Sequence, residues 1–135
     1  MRRPLIREAL GIAGEADMPS LGPLGQEMSK RLKRAVRDAA VAAHEEELRR
    51  ALIPLDAAFQ QWRAGQVSSG ELAELIHRFH EGPARDLFKK YNYGQLELAV
   101  AHAIVSGVLD RSRVPADLVE ALGRAIAFYE EQGKS

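Results

Sequence analysis

Between Leu24 and Ala64 about forty residues carry a single strong helix breaker, Pro54. Leu32, Ala35 and Ala39, then Val41, His44, Leu48, Leu52, Leu55, Phe59 and Trp62, recur at spacings of three and four, the period of a helix with one apolar face. A helix of that length spans roughly 60 Å at 1.5 Å per residue. A compact chain of this size is only about 35–40 Å across. The segment must therefore kink or break, or project into a partner. Pro54 is the natural breakpoint, because proline removes a backbone hydrogen bond and pushes Ile53 off helical geometry. A break or sharp kink there is the favoured expectation, with projection as the alternative.

The remaining chain is read in the same way. Proline in the first turn suits a short helix over Pro4–Leu10, and the Gly- and Pro-rich stretch from Gly11 to Gly25 reads as a loop or arm able to reach a second subunit. Gly65 ends the long segment, and Ser68 and Ser69 ahead of Glu71 and Leu72 give a serine N-cap for a helix that runs to Glu81. Gly82-Pro83 reads as a stop and restart, giving a short helix over 83–91. Asn92-Tyr93-Gly94-Gln95 has the form of a capping box for a helix from Gly94 to Leu109, apolar nearly all round and hence central. Pro115 opens a last amphipathic helix closed by Gly133. The expectation is an all-α fold: an irregular helical bundle of about five to six helices, with residues 1–25 as helix and arm and 26–133 as one bundle domain.

Composition narrows the function classes. Nineteen basic and nineteen acidic residues leave no net charge to attract polyanions or acidic membranes. Cysteine is absent, which excludes thiolate nucleophiles, disulfides and cysteine-ligated metals, and fits a reducing cytoplasm. Arg7 and Glu8 interrupt the stretch after the first arginines, so no signal peptide is expected. The least polar run, Leu98 to Leu109, is too short to span a bilayer.

Several residues nonetheless invite chemistry. Glu74, His77 and His80 follow one another at intervals of three, and Glu-x-x-His is a ligand pair of di-iron bundles. That site class needs the motif from two helices, and it occurs once here, so a solvated polar face is the favoured reading. His44 and His102 each sit among apolar residues, and with Glu97 and His80 they are candidates for an interior metal or small-ligand site. The ordinary alternative is a hydrogen-bonded core histidine. Lys30, Lys33, Arg34 and Arg37 form a basic strip, but Glu45, Glu46 and Glu47 follow it, as on a solvated helix face, and nucleic acid is not an expected partner. Aromatic and cationic residues meet at Phe88, Lys89, Lys90, Tyr91 and Tyr93, and with Trp62 they are candidates for a recognition surface. No phosphate-binding glycine loop, nucleophile elbow or His-Glu-x-x-His motif is present, so no catalytic residue and no cofactor is assigned. The leading expectation is a non-enzymatic helical interaction or assembly module, a cytoplasmic homodimer. The alternative is a metal- or ligand-binding bundle built on the His/Glu set.

Overall fold

A computed structural model describes residues 28–133. The expected helix at Pro4–Leu10 and the arm over 11–25 lie outside these residues. Six α-helices follow in order: α1 Lys30–Arg63, α2 Ser69–Phe79, α3 Arg85–Asn92, α4 Leu96–Val105, α5 Ala116–Ala121 and α6 Gly123–Gly133. Among the described residues there is no strand, so the protein is all-α.

Helix α1 begins where the Ser29 hydroxyl accepts the Leu32 N–H, and it runs unbroken to Arg63 with Pro54 inside it. The break expected at Pro54 does not occur. Pro54 lies on the exposed side of α1, so the Arg50 carbonyl deprived of its partner can turn to water. Ala58, one turn further on, is buried, and α2 lies alongside this part of α1. Gly65 then reverses the chain with a positive φ of 78°. A complete capping box starts α2: the Ser68 hydroxyl accepts the Glu71 N–H at 3.0 Å, and the Glu71 carboxylate accepts the Ser68 N–H at 2.8 Å.

Gly82-Pro83 is not the stop that its residues suggest. Residues His80–Ala84 form a π-helical turn that joins α2 to α3 without a gap, so one helical rod returns antiparallel to α1 from Ser69 to Asn92. Pro83 has no N–H to donate, and a wider turn relieves its clash with the preceding carbonyl. The turn also corrects phase. Leu72 and Tyr91, both buried, are nineteen residues apart and would fall about 100° out of line on a regular α-helix. One extra residue wound into the turn takes up that angle, and both face α1.

Helix α4 starts at Leu96, not Gly94. Its N-cap, Gln95, makes no side-chain bond, while the Asn92 amide donates to the Phe88 carbonyl at 2.8 Å, so the expected capping box does not form. Gly94 instead permits a close backbone approach. A Cβ there would come within 2.9 Å of the Lys90 carbonyl oxygen, and only glycine fits the turn. The single C-terminal helix expected after Pro115 is two, α5 and α6, parted at Leu122. The core gathers Val36, Ala40 and Ala43 of α1 with Val100, Ala103 and Ile104 of α4, Leu118 of α5, Leu122, and Ala125 and Ile126 of α6. Small residues dominate α1 and α4 there, letting the two helices lie close. The result is two parts: a bundle around α4, and an arm in which α1 pairs with α2–α3.

Candidate functional site

The arm and the bundle meet at Glu47. Its carboxylate accepts a hydrogen bond from Lys90 Nζ at 2.9 Å and another from the Tyr91 hydroxyl. Tyr91 is buried, and its ring stacks on the half-buried His44 at a centroid distance of 5.3 Å. Burial pushes the Glu47 carboxyl up, but the bonds from Tyr91 and Lys90 outweigh it and hold the group below its ordinary value, with His102 adding a weak pull in the same direction. Burial, together with the Glu47 carboxylate, raises the Tyr91 hydroxyl far above its usual range. Beside Glu47, the Glu46 carboxyl is held at about 2 by Arg49 and Arg50.

These shifts give a signed expectation. A carboxylate whose folded value is depressed contributes stability above its ordinary value, and that contribution disappears as pH falls through the folded one. Urea denaturation should therefore find the protein losing stability from about pH 4.5 down toward pH 2. Glu47→Gln should flatten part of that decline, and an unchanged slope in the variant would exclude Glu47 as a source.

The other candidates are dispersed. Glu74, His77 and His80 are exposed, with Glu74 accepting from Arg78 at 3.1 Å. His102, expected inside an all-apolar helix, lies on the exposed side of α4 against the edge of Tyr129. Helix α4 buries Ala99, Val100, Ala101, Ala103 and Ile104 and turns His102 away from them. Glu97 is half-buried in the first turn of α4. Among the described residues, no three histidine or carboxylate side chains are grouped to hold a metal ion, nor is any helix long and apolar enough to cross a membrane.

The aromatic–cationic segment divides in two. Lys90 and Tyr91 point inward to Glu47, whereas Phe88, Lys89 and Tyr93 are exposed, with Phe88 and Tyr93 in edge contact at 5.6 Å. Trp62 closes the tip of the arm by donating its indole N–H to Ser69 Oγ at 3.0 Å.

Two pairs of residues define the sides of the arm. Arg50 donates to the Gly107 carbonyl just beyond α4, so it marks the bundle side. Leu52, two residues later, points about 200° away round α1. On α3, Phe88 stands two residues before the inward Lys90 and is likewise turned from it. Ile76 lies two turns beyond Ser69, on the same helical face, and the phase correction of the π turn brings Phe88 into line with it. Nine large apolar side chains are exposed among the described residues, and five fall on this outer side: Val41 at 71% exposure, Leu52 at 44%, Ile76 at 41%, Phe88 at 48% and Tyr93 at 76%. At one end the strip runs into an open cleft of about 220 Å³ lined by Arg37, Val41, His44, Tyr91, Asn92 and Leu96. The strip was not visible in the sequence, because it joins residues from two helices whose relative phase depends on the π turn.

Compared with known proteins, the chain matches no family model, no curated protein and no solved structure.

Proposed function

We propose that the protein is a non-enzymatic helical assembly module that associates with a second copy of itself. The carrying observation is the outer strip of the arm, where five large apolar side chains lie in water along a pair of helices. Apolar surface gathered in one strip favours association, whereas scattered apolar residues do not. The polar chemistry of the molecule points the same way: the half-buried ionic cluster at Glu47 has its donors paired and ties α1 to α3 within the arm. The cysteine-free composition supports a place in the reducing cytoplasm.

Native mass spectrometry of the untagged chain at tens of micromolar is the test. A dimer carrying no added mass is the expected species. A monomer throughout would overturn self-association, and a stoichiometric added mass would replace it with ligand binding.

A further inference from the structure

The cleft at the end of the strip has a charged side that self-association leaves unused. Helix α1 gives it Arg37, Val41 and His44, spaced by four and three residues, so the three stand in one line about 10 Å long. Asn92 and Leu96 close it from the end of α3 and the start of α4. Its volume of about 220 Å³ falls below the roughly 300–1,000 Å³ of pockets that enclose drug-sized molecules. The occupant it fits is small.

The polar groups of the cleft are unequally used. Arg31, Arg49 and Arg50 are all paired, whereas the Arg37 guanidinium has no hydrogen bond or ion pair among the described residues. His44 sets its half-buried imidazole against Tyr91, 19° from parallel, and neither ring nitrogen is hydrogen-bonded among those residues. The Asn92 amide nitrogen is committed to the Phe88 carbonyl, and the Tyr91 hydroxyl to Glu47. No acidic side chain lines the cleft. Asp38 and Glu45 each follow a lining residue by one position, which carries them about 100° round α1. Lys30, Lys33 and Arg34 stand on the preceding two turns and do not line it either.

One free guanidinium beside apolar walls selects an anion of a particular kind. Its planar fork matches a carboxylate through two parallel hydrogen bonds. A doubly charged group would bring a second negative charge against Val41 and Leu96 with nothing there to meet it. A carboxylate without an apolar body would leave those walls wet. We propose that the cleft binds a small monocarboxylate with a single-ring apolar body. Arg37 holds the carboxylate, and the ring lies against Val41, Leu96 and the His44 imidazole. The cleft opens to water on one side, so a ligand of this size exchanges freely and is lost on purification.

Benzoate serves as the probe. NMR amide spectra of the isotope-labelled full chain, recorded at constant ionic strength during the titration, should show saturable shifts at residues 37–44 and 92–96. A Kd of about 1 mM is expected for so few atoms in an open cleft. Benzamide has the same shape without the charge, and acetate the same charge without the ring. Each should bind roughly tenfold more weakly. Arg37→Gln should weaken benzoate about tenfold and leave benzamide unchanged, because the guanidinium acts on the carboxylate alone. Lys33→Gln, one turn away and outside the cleft, should change benzoate binding by less than about twofold. Both positions are exposed, and circular dichroism checks the fold of each variant. No saturation by about 20 mM benzoate, shifts confined to other residues, or benzamide or acetate binding as tightly as benzoate would overturn the proposal. Equal losses in Arg37→Gln and Lys33→Gln, or equal binding of inorganic phosphate, would also overturn it by assigning the attraction to the basic strip as a whole. A monomer that binds benzoate in this way keeps the site and loses self-association, and a dimer that does not bind it does the reverse.

Discussion

Replacing Pro54 with alanine should stabilise the protein by about 2 kcal/mol. Proline inside a helix is about 3 kcal/mol less favourable than alanine, and part of that is offset because proline also restricts the unfolded chain by roughly 0.4–1 kcal/mol. The gain should be realised in full, because Pro54 is exposed and α1 already passes through it, so alanine restores the hydrogen bond to Arg50 without moving a buried neighbour. Thermal and urea denaturation measured side by side would record it, with a rise in Tm of roughly 5–10 °C. A variant no more stable than the parent would mean that the proline sets a bend on which the pairing of α1 with α2 depends.

The opposite sign is expected at Leu118. It is fully buried and belongs to a helix of six residues, α5, whose N-cap Pro115 offers no side-chain bond. So short a helix has almost no stability of its own. The exposed ion pair from Arg31 to Asp117 adds little at the surface. What holds α5 is Leu118 in the core with Leu122, Ala125 and Ile126. Leu118→Ala should cost about 3 kcal/mol, with the remaining cavity enlarging the loss. Hydrogen exchange should show protection falling across residues 116–121 ahead of the rest. A loss below about 1 kcal/mol would indicate that α5 is held by something other than this side chain.

Much of the helical layout was legible because it rests on local chemistry. The apolar spacing of α1, the serine cap before α2, the end of α1 at Gly65 and the proline before α5 all act within a few residues, and each stands near its expected place. Two of the misreadings share one cause. At Pro54 and at Gly82-Pro83 residues that end an isolated helix lie within continuous rods, because a neighbouring helix runs alongside and, in the second case, a π turn absorbs the misfit. Asn92 found a partner in the Phe88 carbonyl and did not cap α4. His102 looked interior only because a nearly featureless apolar helix gives no direction for its outer side.

Glu47 was the residue hardest to single out. It ends a run of three glutamates, and such a run ordinarily faces water. A signal was present: Glu47 follows Ala40 by seven residues and Ala43 by four, placing it on the line of small buried residues and not on the solvated side. Its partners, Lys90 and Tyr91, are over forty residues away, and no local pattern announces them.

The loose turn at His80–Ala84 imposes a counting rule on the gene. Substitutions that keep its π winding leave the two halves of the returning rod aimed alike, but the same five residues wound as ordinary helix would swing everything beyond them by about 100°. Tyr91 would then leave Glu47 and Phe88 would leave the line of Ile76 in the same step. Losing one residue together with the extra winding would keep the aim, because Leu72 and Tyr91 would stand eighteen residues, or five full turns, apart on a regular α-helix. In homologous chains this segment should therefore hold either five residues wound wide or four wound as ordinary helix.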